Sequence, residues 1–105
     1  MKAALPVKMG RIDKYFERAK TFLILEIEGT TIKKKHLFSI NPRQSNYGQL
    51  IYPFQNSGVK LIIVDKIDAK VNQTLKENGF KVITGARGPV TEVVQRIIHG
   101  RRFFT

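Results

Sequence analysis

The segment from Val59 to Val64 constrains the fold of this chain most strongly. It is apolar except at Lys60, and a short run of this kind is typical of a strand that is buried on both faces of its sheet. Helical patterns precede and follow it in the sequence. A strand buried in this way needs helices on both faces of the sheet, so the segment predicts an α/β domain.

Three further strands precede this run. We predict the first at Lys2 to Val7, ending near Pro6, and a β-hairpin formed by Thr21 to Glu28 and Thr31 to Ile40. The polar stretch from Lys8 to Lys20 is too long for a tight turn. We expect it to form a functional or partly helical loop.

Three helices and a fifth strand complete the pattern. Pro53 should kink or shorten the first helix, Asp68 can cap the second, and Pro89 suits the start of the third, which Gly100 closes. Phe80 to Ile83 is the fifth strand. The apolar positions that share a helix face are Tyr47, Leu50, Ile51 and Phe54 in the first, Ile67, Val71 and Leu75 in the second, and Val90, Val93, Val94, Ile97 and Ile98 in the third.

This order of elements predicts a mixed five-stranded sheet with the spatial order 3-2-1-4-5 and three helices on its two faces. The first three strands form an antiparallel meander, and the last two join by right-handed crossovers and run parallel. We assign residues 1–100 to this single domain and residues 101–105, two arginines, two phenylalanines and a threonine, to a basic and aromatic tail.

Composition narrows the class of protein. The chain is 42% hydrophobic, which is too apolar for a disordered protein, and it has no cysteine. Disulfides, thiolate-held iron–sulfur clusters and cysteine-based zinc sites are therefore excluded. Without an apolar run of about 20 residues or a signal peptide, we expect a soluble cytoplasmic protein with no membrane contact. The net charge of +11 favours anionic partners.

Residues suited to binding gather at one predicted edge of the sheet. Open α/β sheets bind ligands at the carboxyl ends of their strands, and here three helix N-termini with unsatisfied N–H groups point to that edge. The loop from Gly85 to Gly88 resembles a phosphate-cradling loop only loosely, because it lacks the Walker spacing and its Lys-Ser/Thr pair, so an ordinary strand-to-helix turn is the favoured interpretation. We expect Arg18 and Arg87 to share one anion site there, and their replacement to leave stability nearly unchanged.

Several short motifs carry a family resemblance over nearly the whole chain. They are Ala4-Leu5-Pro6-Val7, Phe16-Glu17-Arg18-Ala19 with Phe22-Leu23-Ile24, Asn41-Pro42, Gly58-Val59, Asn78-Gly79-Phe80-Lys81-Val82, and the stretch from Gly85 to Gly100. In their order and spacing the chain resembles the dinitrogenase iron–molybdenum cofactor biosynthesis family, which has a ribonuclease H-like fold. Members of that family with known roles bind or carry iron–sulfur-based precursors of the nitrogenase cofactor. The resemblance therefore implies a carrier for such a precursor.

Departures from the family pattern argue against direct metal ligation. Where the family usually has His-Phe-Gly-Arg-Ala, with the histidine a candidate cofactor ligand, this chain has Tyr15 and, in place of the glycine, Glu17. His36 and His99 lie in unsuitable places to replace that ligand, so we expect no metal ligands. The residues that we expect to bind an anionic cofactor are Tyr15, Phe16, Arg18, Asn41, Arg43, Lys66, Arg87 and Gly88.

Three functions suit this pattern to different degrees. We favour a non-enzymatic carrier of an anionic metal cluster or another small anion. The alternative is a basic nucleic-acid-binding module with weak, non-specific affinity, because basic and aromatic residues suit phosphate contacts and stacking. A nuclease is disfavoured, since metal-dependent cleavage needs several converging carboxylates and the first strand supplies none. The sequence identifies neither the ligand nor a protein partner.

Overall fold

The computed structural model describes residues 1–40 and 48–99, and the strands and helices follow the predicted order with two short additions. The additions are a second strand and a 3-10 turn at Phe16–Arg18, both inside the predicted loop from Lys8 to Lys20. The elements are β1 (Lys2–Lys8), β2 (Arg11–Ile12), β3 (Thr21–Glu28), β4 (Thr31–Ser39), α1 (Gly48–Ser57), β5 (Val59–Ile63), α2 (Ala69–Glu77), β6 (Lys81–Ile83) and α3 (Val90–His99).

Five strands form one mixed sheet in the order β4-β3-β1-β5-β6. This confirms the predicted order 3-2-1-4-5 and the ribonuclease H-like architecture. β1 is antiparallel to β3 and parallel to β5, and β6 is parallel to β5. β2 lies off this path and pairs with the end of β1. The apolar run lies at an interior position of the sheet, as expected, and Lys60 is the one exposed residue of β5.

β1 runs through Pro6, near which the predicted first strand ended. The parallel ladder to β5 stops at Ala4, whereas Pro6 remains paired with Phe22 of β3. The Pro6 carbonyl accepts the amide of Asp13 at 2.9 Å. Because proline lacks only the N–H and its φ suits an extended chain, the strand continues beyond it.

The two faces of the sheet carry different cores. α1 and α2 cover an aromatic core on one face, in which the Phe54 ring lies 5.5 Å from Phe22 and 6.5 Å from Phe80, each in an edge-to-face arrangement. α3 covers an aliphatic core on the other face. Each large apolar side chain that is fully buried in these layers contributes about 1.5 to 3 kcal/mol to stability.

Most of the sequence signals that predicted the helices are confirmed. The Asp68 side chain caps α2 by accepting a hydrogen bond from the amide of Lys70 at 2.9 Å. The α3 residues Val93 and Ile97 are buried, in keeping with the amphipathic pattern. α1 continues through Pro53 to its end at Ser57. No helix in residues 1–40 and 48–99 is long and apolar enough to cross a membrane. The predicted closing residue Gly100 and the tail lie outside the described residues.

Candidate anion-binding site

The loop between β1 and β3 lies across the carboxyl ends of the strands. Its backbone is joined to the segment after β5 by two hydrogen bonds, from the Phe16 amide to the Lys66 carbonyl at 3.1 Å and from the Lys66 amide to the Lys14 carbonyl at 3.0 Å. A third bond runs from the Ile12 amide to the Gly88 carbonyl at 2.9 Å, just before α3. Three segments that are distant in sequence therefore meet at the edge where we expected a site.

Tyr15 is at the centre of the basic part of this edge. The residue is 41% exposed, and its ring lies 5.5 Å from Lys14 Nζ and 5.2 Å from Arg18 Cζ, both within the range of a cation–π contact. Tyr15 also forms an isolated backbone bridge with the exposed Lys66. We refer to Lys14, Tyr15, Arg18 and Lys66 as the Tyr15 surface. Within the described parts of the chain, none of its three cations forms an ion pair.

Phe16 does not take part in this surface through its side chain, contrary to expectation. Only 1% of the residue is exposed, and its ring packs edge-to-face on Phe22 with centroids 5.7 Å apart. A phenyl ring gains more free energy in the core than at a charged edge. The phenylalanine of this loop therefore holds the loop on the sheet, and its neighbours are the residues that face solvent.

The N-terminus of α2 is occupied by the chain's own carboxylates. The Glu17 carboxylate accepts a hydrogen bond from the Asp68 amide, and Asp68 in turn caps the Lys70 amide. These acidic groups supply the negative charge that a helix N-terminus favours. The chain itself therefore supplies negative charge at this N-terminus, and Glu17 anchors the loop to the helix.

Arg87 forms an ion pair within the chain. Its Nε donates to Asp65 Oδ1 at 3.0 Å, with 69% of the Arg87 side chain but only 9% of the Asp65 side chain exposed. Most of the Asp65 side chain is therefore shielded from water, and the guanidinium is the counter-ion of its carboxylate. The expected anion site shared by Arg18 and Arg87 would have to compete with this pair.

The segment from Gly85 to Gly88 is a strand-to-helix turn. The Gly85 amide donates to the Asp65 carbonyl at 2.9 Å and the Ala86 amide to the Val64 carbonyl at 3.0 Å, so neither amide is available to a phosphate. Gly88 has a φ of +98°, a conformation that side-chain-bearing residues rarely adopt. Of the two interpretations left open by the sequence, the turn is the observed one.

Two of the predicted site residues fall outside the part of the chain that the structure describes, and the two histidines do not belong to the Tyr15 surface. Asn41 and Arg43 lie outside the described residues. His36 is exposed on β4, and His99 ends α3. Residues 1–40 and 48–99 contain no group of three His, Cys, Asp or Glu side chains that could hold a metal ion.

An apolar groove beside the edge was not predicted from the sequence. It has a volume of about 450 Å³ and is lined mainly by Val7, Met9, Leu23, Leu37 and Val90. These residues come from four separate segments, so no local pattern could indicate the groove. The one local signal is Leu37, an apolar residue that follows the lysine-rich part of β4.

Comparisons with known proteins agree with this architecture. The family described as dinitrogenase iron-molybdenum cofactor matches residues 1–100. The uncharacterised protein MJ0580 of Methanocaldococcus jannaschii is 31% identical over 107 residues, covering 96% of this chain and 88% of that protein. The crystal structure of PH0822 has a TM-score of 0.86 at 23% identity, covering 95% of this chain and 90% of that one. The apo form of the orange protein from Desulfovibrio gigas has a TM-score of 0.76 at 21% identity, covering 95% and 88%. At these identities the two structures show a shared fold.

Proposed function

The chain belongs to the dinitrogenase iron-molybdenum cofactor family, and on that basis we propose that it is a non-enzymatic protein that binds and carries a small anion. The cargo that the family suggests is an anionic metal cluster. The binding surface is the Tyr15 surface, at the carboxyl ends of the strands.

The observation that carries this proposal is the pairing state of the cations at the edge. Arg87 is engaged by Asp65, whereas no described carboxylate lies within ion-pair distance of Lys14, Arg18 or Lys66. Exposed cations grouped around one tyrosine create a positive potential that attracts anions. The Arg18 guanidinium can give two parallel hydrogen bonds to an oxyanion or to the ligand shell of a cluster.

The donor atoms limit what kind of cluster could be carried. The chain has no cysteine, and the described residues form no group of three ligating side chains. The side chains present therefore do not fit a cluster that needs protein ligands. The cargo that fits is an anion whose metal atoms already have their ligands, held through charge and hydrogen bonds.

The acidic residues at this edge support carriage over catalysis. Asp65 forms the ion pair with Arg87, and Asp68 caps α2. Both carboxylates thus have structural roles. Cleavage of a phosphodiester with metal ions requires several carboxylates at one position, and the described residues contain no group of three such side chains.

The test compares anion binding by the natural chain and by variants of one residue. Arg18→Ala removes the guanidinium, Arg18→Lys keeps only the charge, and Lys76→Ala removes an exposed cation of α2 as a control. A charge-assisted hydrogen bond contributes about 1.5 to 3 kcal/mol, so Arg18→Ala should weaken binding by about tenfold or more. Arg18→Lys should lose less, and the control should bind normally.

Titration calorimetry with sulfate, phosphate and molybdate measures these affinities, and native mass spectrometry of protein purified without air detects a carried cluster. Melting temperatures close to that of the natural chain establish that the Arg18 variants remain folded. Equal affinity in the natural chain and in Arg18→Ala would refute the assignment of the Tyr15 surface.

A further inference from the structure

Among residues 1–40 and 48–99, no strand pairs with the outer edge of β4. The inner edge of this nine-residue strand pairs with β3 from Thr31 to Ser39. No strand of the described structure pairs with the outer edge, because β4 is the last strand of the sheet. Alternate N–H and C=O groups of such a strand point outward and can form a ladder with an added strand.

Exposed lysines of this edge lie on both faces of the sheet. Lys34 pairs with Glu26 of β3 and Lys35 pairs with Leu25, so the two lysines point to opposite faces. Both are exposed, and neither has an ion pair with a described residue. Lys33 is the exception, since its Nζ lies 3.9 Å from the Glu28 carboxylate.

An apolar side chain beside the groove follows Lys35 along β4. Leu37 lies two residues after Lys35, on the same face, and is 65% exposed. It borders the groove of about 450 Å³, which also contains Met9, a residue that is 93% exposed. One face of the edge therefore presents a cation and then an apolar groove, two residues apart.

We propose that the outer edge of β4 binds an extended acidic segment of a partner protein by strand addition. The partner strand runs antiparallel to β4, with an apolar side chain opposite Leu37 and acidic side chains opposite Lys35 and Lys34. The backbone ladder contributes affinity, and the alternating side chains determine which strand is accepted. This inference concerns a surface separate from the Tyr15 surface and does not depend on anion carriage.

The arrangement of the β4 lysines disfavours two other occupants of this edge, a second copy of the chain and a nucleic acid. A second copy paired edge to edge would bring lysine-rich strands together, and like charges directly opposite are destabilising. A nucleic acid would be attracted by the charge, but its backbone cannot form the ladder. The lysines are also divided between two faces, and Phe38, the aromatic residue of β4, packs against the core.

The probe for this proposal is a capped six-residue peptide of threonine, leucine, threonine and three glutamates, in that order. Its leucine and the second residue after it match the spacing of Leu37 and Lys35. Two controls are the same peptide with alternate amides methylated and a peptide of the same composition with the leucine last. Binding is measured by fluorescence anisotropy, and amide shifts in NMR spectra locate it.

Binding of the probe should shift the amides of β4 and of the groove. The double variant Lys34→Glu/Lys35→Glu should weaken binding by about tenfold or more, and Leu37→Asp should also weaken it. Lys76→Glu, which makes the same kind of charge change on α2, should bind as the natural chain does. Because the altered residues are exposed, folding should persist. Lys35→Thr, which retains a good strand former, should still lose affinity if folding of the double variant fails.

Three results would overturn the proposal. Equal affinity for the amide-methylated peptide would show that no ladder forms. Shifts confined to elements other than β4 would place the peptide elsewhere. Tighter binding of a ten-residue oligothymidylate, with displacement of the peptide from β4, would make this edge a nucleic-acid surface instead.

Discussion

Replacing Arg87 by alanine tests the role that the structure gives to the Arg87–Asp65 pair. The side chain of Asp65 is only 9% exposed, whereas that of Arg87 is 69% exposed. Arg87→Ala therefore leaves a shielded carboxylate without its counter-ion, and an unsatisfied group of this kind costs about 1 to 3 kcal/mol. Because the guanidinium side of the pair is open to water, we expect a loss of about 2 kcal/mol in the free energy of unfolding, below the range for fully buried pairs. The ion pair thus replaces the sequence-based expectation that loss of Arg87 would leave stability nearly unchanged.

The converse substitution should be milder. Asp65→Asn leaves Arg87 exposed to water and keeps an oxygen that can accept from its Nε, so we expect a cost of about 1 kcal/mol or less. Urea denaturation of the natural chain, both single variants and the double variant gives the coupling free energy. In thermal unfolding, Arg87→Ala should melt about 10 °C lower.

The two variants should differ in stability, with the larger loss in Arg87→Ala. A loss below about 0.5 kcal/mol for Arg87→Ala, the usual range for surface substitutions, would refute the shielding of Asp65. A larger loss for Asp65→Asn than for Arg87→Ala would contradict the burial argument directly. Either outcome would restore the interpretation of Arg87 as a solvated cation available to an external anion.

Three further predictions concern a turn, the aromatic core and the net charge. Met9 has a φ of +53° beside Gly10 in the turn between β1 and β2, so Met9→Asn should raise the free energy of unfolding by about 1 kcal/mol in urea denaturation. Phe54→Ala, at the centre of the aromatic core, should cost about 3 to 5 kcal/mol in the same assay, whereas replacing the 73% exposed Tyr52 should cost less than about 0.5. Nucleic acids should bind weakly, without sequence preference and with steep salt dependence in anisotropy measurements. Tight binding to one sequence at physiological salt would contradict that expectation.

The fold was largely predictable because its signals are local. The hairpin, the cap at Asp68 and the apolar face of α3 each depend on residues within a few positions of one another. Connection rules then limited the sheet to one order of strands. The two short elements at Arg11–Ile12 and Phe16–Arg18 escaped prediction, since they are stabilised by contacts with Val7 of β1 and with Lys66 rather than by their own pattern.

The meeting of these loops was likewise predictable, because parallel strands and their helices bring the same loops to one edge. Which of the charged residues at that edge would be paired was not. The Asp65 and Arg87 partners are 22 residues apart, and Glu17 and Asp68 are 51 residues apart. Periodicity and spacing rules act over one or two turns of a helix or across one hairpin, so they contain no information about such pairs.

The sequence by itself determined the class of fold, the strand order and the basic character of the edge, since hydrophobic periodicity and net charge are sums over local choices. Only the tertiary structure decided which of the charged residues at this edge are paired and which aromatic ring is buried. It buried the ring of Phe16, paired Arg87 and left Arg18 against Tyr15. It also assembled the groove beside Leu37 from separate segments. The physical reason is that burial and ion pairing depend on distances through space, which are set only when the sheet and its three helices have packed together.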